Sequence, residues 1–252
     1  MSFPRTALIT GGSLRIGKAI CEGLSAAGYA VAVHYHSSSN DAHLLVDEIR
    51  AAGGKAVAVQ ADLTDSVAVR NVMADANKAL GPIGLLVNNA SVFESDSFEV
   101  DDEILWNTHF DVHVKAPSVL TAAQYDQLPQ DTQGLAVNII DQRVWKLTPA
   151  FSSYTLSKSA LWTATRTMAQ TFAPRLRVNA IGPGPTLPSP RQSQESFQKQ
   201  VDTLLLKRAP DLVEFTRTIL YLAETGSVTG QMIALDGGQH LAWDTGDQRV
   251  EE

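Results

Sequence analysis

The chain alternates between short apolar segments and amphipathic segments, and this alternation constrains the fold more than any other feature of the sequence. It begins with an apolar run over residues 6–10, a helical pattern over 16–27 that Gly28 ends, and a second apolar run over 29–35. Strands joined by helices of this length pair in parallel, because a parallel pair needs a long crossover. The pattern therefore predicts an α/β fold, with a parallel sheet covered by helices on both faces.

The same alternation continues to the end of the chain. It predicts further helices over 40–54, 65–80, 101–128 and 152–173, and further strands over 55–62, 84–90, 134–140, 175–184 and 231–238. The sheet should therefore have seven strands. No linker interrupts the pattern, so we expect a single domain over residues 1–252. Residues 183–195 are rich in Pro, Ser and Gln, and we expect them to form a mobile loop within a substrate lid around 183–209.

Charge and composition narrow the choice of partners. The net charge is −7 and the pI is about 5.3, which argues against a nucleic acid or an anionic membrane as partner. Cys21 is the only cysteine, which excludes an intrachain disulfide and a cysteine-based zinc cluster, and we expect it to be a small core hydrophobe. No apolar run approaches the roughly 20 residues of a membrane span, and the start lacks a signal-peptide pattern. We expect a cytoplasmic protein with a small-molecule substrate and no metal.

The stretch "TGGSLRIG", residues 10–17, lies between the first predicted strand and the first predicted helix. Ligands of parallel sheets bind beyond the carboxyl ends of the strands. Gly11, Gly12 and Gly17 would allow a tight turn and the close approach of a pyrophosphate to the amino end of the helix. Glycine-rich turns also connect strands to helices for structural reasons alone.

The stretch "YTLSK" places Tyr154 and Lys158 one helical turn apart, with Cβ atoms about 6 Å from each other. A nearby cation lowers the pKa of a phenol and makes it a usable acid near neutrality. Asp141 stands thirteen residues before Tyr154, where the fifth predicted strand leaves the core. A carboxylate there is costly if buried and useful if catalytic. The alternative is a structural aspartate that caps a turn or pairs with Arg143 or Lys146.

These stretches resemble the short-chain dehydrogenase/reductase family. The motifs "TGGSLRIG", "ADL" (61–63), "NNAS" (88–91), "YTLSK", "RVNAIGPG" (177–184) and "VTGQMIALDGG" (228–238) occur in the order and spacing of that family. The resemblance extends over essentially the whole chain. It implies a doubly wound Rossmann-type fold, an NAD(P)-dependent oxidoreductase and usually a homotetramer. It also implies that Tyr154 is catalytic, together with Lys158, which would also hold the nicotinamide ribose.

The resemblance extends to the cofactor. The implied contacts come from the glycine-rich loop, the ends of strands two and three, the loop after strand four, the active-site helix and the end of strand six: Gly11, Arg15, Ile16, Gly17, His36, Ser37, Asp62, Leu63, Asn88, Ala90, Lys158, Pro183 and Gly184. NAD-preferring relatives have an acidic residue at the end of strand two. Here residues 34–38 read His-Tyr-His-Ser-Ser, with no carboxylate until Asp41. We therefore predict NADPH, although related enzymes often have arginine in place of Ser37.

Four departures from the family pattern point to one branch of it. Asp141 replaces a serine, Arg15 a glycine or alanine, Ser91 a glycine, and His113 lies near a usual asparagine. The pteridine reductases and the bacterial dihydromonapterin reductases are similar to this chain in most of these positions, and in an aromatic residue soon after NNAS, here Phe93. This resemblance implies the reduction of a pterin-type substrate.

The chemistry of a pterin supports the same interpretation. Reduction of a C=N bond needs a proton on nitrogen, which a carboxyl group of raised pKa can supply and serine cannot easily supply. We expect the substrate to contact Arg15, Ser91, Phe93, Asp141 and Tyr154. Three of these positions have a structural alternative of their own: Arg15 as a solvated arginine at the helix start, Ser91 as a serine that satisfies loop backbone, and Phe93 as a core or lid hydrophobe. His113 either continues a proton relay behind Lys158 or is a satisfied core histidine.

Two other functions stay open at this point. One is a ketone or aldehyde reductase that merely carries Asp141, and the other is a non-catalytic dinucleotide sensor, which the intact Tyr154 and Lys158 disfavour. For the homotetramer, we expect the helices over 101–128 and 152–173 to pack against their counterparts. The apolar side chains expected at that interface are Leu156, Ala160, Leu161, Ala164 and Met168.

Overall fold

A computed structural model describes residues 3–99, 102–189 and 191–243. Its centre is a seven-stranded, all-parallel sheet with strand order β3-β2-β1-β4-β5-β6-β7. The strands are β1 (Thr6–Ile9), β2 (Ala30–Tyr35), β3 (Ala56–Gln60), β4 (Leu85–Asn88), β5 (Gly134–Ile139), β6 (Leu176–Pro183) and β7 (Met232–Leu235). The predicted doubly wound, seven-stranded α/β fold is confirmed.

Helices cover both faces of the sheet. They are α1 (Arg15–Ala26), α2 (Ser39–Ala51), α3 (Ser66–Leu80), α4 (Glu103–Phe110), α5 (Ala116–Gln127), α6 (Ser152–Phe172), α7 (Gln194–Asp202) and α8 (Leu212–Glu224). Alternate strand residues point to opposite faces. Ile9 therefore packs with side chains of α1, α2 and α8, whereas Leu8 packs with side chains of α3, α5 and α6. Each fully buried aliphatic side chain stabilises the fold by roughly 1.5–3 kcal/mol.

The single helix predicted over 101–128 is interrupted. Residue 101 lies outside the described residues, α4 begins at Glu103, and a π-helical turn, Asp111–Lys115, separates α4 from α5. A π turn adds a residue to the helical period, and such turns are often found at functional sites. Here it leaves two consecutive residues, Val112 and His113, buried together.

The predicted elements omitted two helices. Helix α7 lies inside the predicted lid, and its Phe197 and Val201 pack with Leu204 in a small apolar cluster. Helix α8 packs on α1 through Phe215 and Ile219, at the i, i+4 spacing of an amphipathic helix. The segment between α7 and β6 has no regular structure over 184–189, as predicted, and its mobility stays a prediction.

The strand order reverses between β1 and β4, which are adjacent although β2 and β3 come between them in the chain. In doubly wound sheets the ligand cleft opens beyond the carboxyl ends of the strands at this point. Here the loops after β1 and β4 are joined directly, because the Thr10 hydroxyl accepts hydrogen bonds from the Asn89 amide (2.9 Å) and the Ala90 amide (3.0 Å).

Candidate active site

The glycine-rich loop after β1 packs so closely against neighbouring atoms that side chains do not fit at Gly11 and Gly17. Gly11 has φ +59°, and a Cβ there would lie 3.0 Å from the Ala90 Cα. A Cβ on Gly17 would overlap the carbonyl oxygen of Gly11. The Asn89 side chain fixes the loop from the other side by donating to the carbonyls of Thr10 (2.9 Å) and Gly11 (3.0 Å). Since α1 has no side-chain cap, the amides of its first turn remain available to an anion.

The His34 side chain supports the glycine-rich loop and does not form part of a phosphate site. Its Nδ1 accepts a hydrogen bond from the Gly11 amide (3.1 Å), and its Nε2 faces the Ala61 carbonyl oxygen at 3.2 Å, so the proton is on Nε2. Burial lowers the pKa of His34 to about 4, and the ring is therefore neutral at physiological pH. His36 is exposed, 3.6 Å from the Asp62 carboxylate, and is the imidazole that could face a cofactor.

Three adjoining cavities run along the carboxyl ends of the strands. The first, about 350 Å³, is lined among others by Gly11, His36, Ser37, Asp62 and Leu63. The second, about 290 Å³, shares Gly11 with the first and is lined by Arg15, Ile16, Gly17, Asn89, Ala90, Ser91 and Phe93. The third, about 240 Å³, shares Arg15 and Phe93 with the second and is lined by Asp141, Tyr154, Gly184 and residues of the predicted lid. Most of the predicted cofactor and substrate residues therefore meet in one continuous cleft.

Asn88 differs from its prediction as a cofactor contact. Its side chain is buried, and its Nδ2 donates to the Asn138 Oδ1 at 2.8 Å, while the Asn138 Nδ2 donates to the Thr165 hydroxyl at 2.8 Å. This network ties β4, β5 and α6 together. The neighbouring Asn89, which the sequence reasoning missed, is the residue that holds the glycine-rich loop and lines the cleft.

Asp141 and Tyr154 meet at the inner wall of the third cavity. The Tyr154 hydroxyl donates to the Asp141 Oδ2 at 3.0 Å, and the Asp141 Oδ1 accepts the Arg143 amide at 2.7 Å. From the sequence alone, Asp141 could be either a catalytic residue or a structural residue that caps a turn. In the structure one carboxylate oxygen caps the turn, and the other faces the tyrosine.

Burial sets the ionisation of this cluster. It raises the pKa of Asp141, against the opposing hydrogen bond from the Arg143 amide. Burial, followed by the Asp141 carboxylate, raises the pKa of Tyr154 well above its ordinary value. The prediction that Lys158 lowers the phenol pKa is therefore wrong as a net shift. The Lys158 Nζ donates to the Ile139 carbonyl (2.9 Å) and lies 5.7 Å from the Tyr154 ring centroid, and burial lowers the pKa of Lys158 to about 8.

Phe93 forms the outer wall of the same cavity. Its ring stacks on Phe151, with centroids 4.6 Å apart and planes within 5°, and meets the Tyr154 ring edge-on at 4.9 Å. It remains 37% exposed, so one side of the ring is open to the cleft. An aromatic wall beside a phenol and a carboxyl group suits a flat, polar ring.

His113 is a satisfied core histidine. Its Nε2 accepts the Val92 amide (3.1 Å) and lies 3.0 Å from the Ser91 hydroxyl, while its Nδ1 lies 2.9 Å from the Ser157 hydroxyl. Because Nε2 is an acceptor, the proton is on Nδ1. Burial lowers the pKa of His113 well below its usual value. The ring therefore anchors the loop that carries Ser91, and both its nitrogens are engaged without a relay to Lys158.

Two arginines hold the predicted lid over the cleft. Arg15 has φ +54°, and its guanidinium donates to the carbonyls of Pro188 (3.1 Å) and Leu187 (3.3 Å). Arg191, which the sequence reasoning missed, donates to the Phe93 carbonyl (2.6 Å) and forms an ion pair with Glu94. The Arg15 side chain thus spans the second cavity and the lid, and is not a freely solvated helix-start arginine.

The interface predicted from α6 is only partly available. Leu161 and Met168 are buried in the core of the protein, whereas Leu156 is 40% exposed.

Within residues 3–99, 102–189 and 191–243, no helix is long and apolar enough to cross a bilayer. The same residues form no group of three or more His, Cys, Asp and Glu side chains suited to a metal ion.

Comparisons with known proteins agree with this geometry. The model of the short-chain dehydrogenase family matches residues 5–199. An oxidoreductase of Methylorubrum extorquens is 32% identical over 242 residues, which are 93% of this chain and 97% of that protein. The 3-oxoacyl-acyl-carrier-protein reductase of Staphylococcus epidermidis is 27% identical over 242 residues, 94% of this chain and 99% of that protein. The chain belongs to the short-chain dehydrogenase family and is an oxidoreductase of that family.

Two solved structures resemble the chain more closely. The alternative dihydrofolate reductase 1 of Brucella suis, solved in complex with NADP, is 56% identical with a TM-score of 0.94, over 96% of this chain and 97% of that one. The corresponding protein of Brucella canis, also complexed with NADP, is 54% identical with a TM-score of 0.93, over 97% of this chain and 98% of that one.

Proposed function

We propose that this oxidoreductase uses NADPH to reduce a pterin-type ring, a dihydropterin or dihydrofolate. The observation that carries the proposal is the hydrogen bond between Tyr154 and Asp141 in a cavity walled by Phe93. A serine at position 141 would serve a carbonyl, but a buried carboxyl of raised pKa suits protonation of a ring nitrogen. The similarity to two enzymes named alternative dihydrofolate reductase supports the same substrate class.

The cleft fits an NADP-type dinucleotide. The second cavity is lined by Gly11 and Gly17, and a pyrophosphate there would lie against the uncapped amino end of α1. At the end of β2, His36 and Ser37 offer an imidazole and a hydroxyl to a 2′-phosphate, with no carboxylate on that segment. Both Brucella relatives were solved with NADP. We therefore propose a preference for NADPH over NADH.

The chain's own groups would handle the proton. When bound, NADPH supplies a hydride to a ring carbon. The Tyr154–Asp141 pair delivers the proton to the adjacent ring nitrogen, directly or through water, and so completes the reduction of the C=N bond. Lys158, buried beside Tyr154, would hold the nicotinamide ribose, and Phe93 would cover the free face of the substrate ring. Arg15 and Ser91 would orient the heterocycle, with residues 183–209 as the lid.

Side-by-side assays test the proposal. We expect oxidation of NADPH with dihydrobiopterin, dihydromonapterin or dihydrofolate at a higher kcat/KM than with simple ketones and aldehydes. NADH in place of NADPH should lower kcat/KM. Turnover of ketones alone would contradict the pterin assignment, and equal or better efficiency with NADH would contradict the cofactor preference.

Carbonyl reduction is the second candidate. It is favoured by the 27% identity to 3-oxoacyl-acyl-carrier-protein reductases, and by a tyrosine and lysine arrangement that also serves ketones. Asp141 distinguishes the two functions, because a carbonyl needs only the tyrosine proton. A dinucleotide sensor is the third candidate, and turnover of any substrate would exclude it. The prediction of a cytoplasmic homotetramer also stands as a proposal, with exposed Ile104 and Leu156 as its apolar contacts.

A further inference from the structure

The ring of Tyr154 is enclosed by three other rings. Besides Phe93, the imidazole of His113 meets it edge-on at 5.4 Å and 89°, and that of His109 at 5.9 Å and 77°. The two imidazoles lie one helical turn apart and stack on each other at 5.4 Å, with planes within 15°. Both histidines are essentially inaccessible to solvent. The orientation of the phenol ring therefore depends on where these two imidazoles are held.

Each imidazole is bonded to a serine on the tyrosine's own helix. The His109 Nδ1 lies 2.7 Å from the Ser153 hydroxyl, and the His113 Nδ1 lies 2.9 Å from the Ser157 hydroxyl. Both pairs are buried, and the two serines bracket Tyr154 in α6. We call these four residues the histidine–serine ladder. It fixes α6 to α4 and to the π turn beside the Tyr154 ring.

Asp96 secures the first turn of α6 from a separate segment. Its Oδ2 accepts the Ser153 amide at 3.0 Å, and its carbonyl oxygen accepts the Phe151 amide at 2.9 Å. Phe151 precedes the helix with φ +61° and offers no side-chain cap, so Asp96 takes the role of a capping residue. Although burial acts to raise the pKa of Asp96, hydrogen bonds from Ser153 outweigh it and lower that pKa. The carboxylate is therefore ionised at the amino end of α6.

We infer that His109 and Asp96 are positioning residues for Tyr154, holding its hydroxyl against Asp141 through the histidine–serine ladder. The inference rests on the proposed role of Tyr154 as proton donor. Within the described part of the chain, the His109 Nε2 and the Asp96 Oδ1 are buried without a hydrogen-bond partner. Each such atom has lost its hydrogen bond to water without a replacement, so an apolar residue would serve packing alone better. Misplacement of a reacting group by about 1 Å can lower a rate by about 10²-fold.

The test compares His109→Leu with His109→Asn. Leucine fills the space and removes the hydrogen bond, whereas the amide of asparagine can reach the position of Nδ1 and restore the bond to Ser153. We expect His109→Leu to lower kcat by roughly tenfold, with the KM of the pterin and the dissociation constant of NADPH nearly unchanged. His109→Asn should recover most of that loss. Ser153→Ala and Asp96→Ala, which remove the hydroxyl and the accepting carboxylate, should lower kcat in the same way, and they carry the test if His109→Leu does not fold.

Thr165→Val is the matched control. It removes another buried hydrogen bond of α6, that with Asn138, eleven residues beyond Tyr154. It should lower the melting temperature and leave kcat per NADPH-binding site unchanged. If the ladder variants behave like this control, or if asparagine rescues nothing, the inference is overturned. Tyr154→Phe distinguishes a failure of the proposed function from a failure of the positioning inference. An active Tyr154→Phe enzyme would overturn the proposed function. An inactive Tyr154→Phe enzyme, together with fully active ladder variants, would overturn the positioning role alone.

Discussion

The Tyr154 hydroxyl and the Asp141 carboxylate form one hydrogen-bonded pair, 3.0 Å apart, although they are thirteen residues apart and belong to different elements. The second oxygen of Asp141 is engaged by the Arg143 amide at 2.7 Å. The geometry of the pair is therefore fixed by the main chain, and its protonation by burial. This relationship makes the role of Asp141 testable by a substitution that leaves the geometry intact.

Asp141→Asn should abolish the proton function and keep the turn. The amide oxygen can still accept from the Arg143 amide, and the amide nitrogen can face the Tyr154 hydroxyl as a donor. We expect pterin turnover to fall by roughly 10²-fold or more, with NADPH binding nearly unchanged. Steady-state kinetics and a cofactor titration measure both quantities. Asp65→Asn is the control, since Asp65 caps α3 through the amides of Val67 and Ala68, away from the cleft. Unchanged pterin reduction in Asp141→Asn would favour the carbonyl-reductase alternative.

Lys158 should set the alkaline limit of activity. Burial lowers its pKa to about 8, so the free enzyme loses this positive charge as the pH rises through about 8. The charge favours the phenolate that remains after Tyr154 gives up its proton. We therefore expect kcat/KM to fall above pH 8. In Lys158→Arg, which stays charged, the decline should move to higher pH whatever the absolute rate. A decline at the same pH in both proteins would assign it to another group.

His34 should make the fold sensitive to acid. Its folded pKa of about 4 lies below the unfolded value of about 6.5, so the unfolded chain binds more protons between these values. Stability should therefore fall as the pH drops from 6.5 to 4, by roughly 3 kcal/mol from this group when the change is complete. Urea unfolding at several pH values measures the slope. His34→Asn should flatten it, while His43→Asn, on the exposed face of α2, should leave it unchanged.

Arg191 should help the lid to close on the substrate. Arg191→Ala removes the bonds to the Phe93 carbonyl and to Glu94. Because the guanidinium is about half exposed, we expect a loss of about 1 kcal/mol, seen as a roughly fivefold higher KM for the pterin with kcat little changed. Lys199→Ala removes another charge of the predicted lid, the partner of Glu195 within α7, and should have no such effect. An equal rise in KM for both variants would assign the effect to net charge.

Assembly can be tested on the helices beside the active site. Ile104 on α4 is 80% exposed and Leu156 on α6 is 40% exposed, and the two helices are in contact. We expect light scattering at micromolar concentration to show a tetramer, which Ile104→Glu should dissociate. Leu44→Glu is the matched control, because Leu44 is 61% exposed on α2. A monomeric wild-type protein would contradict the expected assembly.

The sheet and the cleft were accessible to sequence reasoning because their signals are local. Apolar runs such as residues 84–90 and the glycine-rich loop around Gly11 define strands and a turn without reference to distant residues. Asp141 was found by the same route, as a carboxylate at the end of a strand. The amphipathic spacing of Phe215 and Ile219 was also local, and α8 could have been predicted from it.

The remaining features depend on contacts between distant segments. The hydrogen bond that the Ser153 amide donates to Asp96 joins residues 57 positions apart. The histidine–serine ladder depends on a π turn, and no residue type predicts such a turn. The net shift of the Tyr154 pKa was wrongly predicted because burial outweighs a neighbouring charge, and burial is known only from the packed structure. Arg191 contacts Phe93 across 98 positions, and no local pattern in the sequence indicates a contact over that distance.

The double engagement of Asp141 has a consequence for how such enzymes diverge. The oxygen that accepts the Arg143 amide makes a turn that a serine hydroxyl at the same position can also make. The backbone after β5 therefore tolerates either side chain, and only the second oxygen, facing Tyr154, distinguishes them chemically. A lineage could exchange one reduction chemistry for another by a change at this single position, without rebuilding the loop or repacking the sheet beneath it.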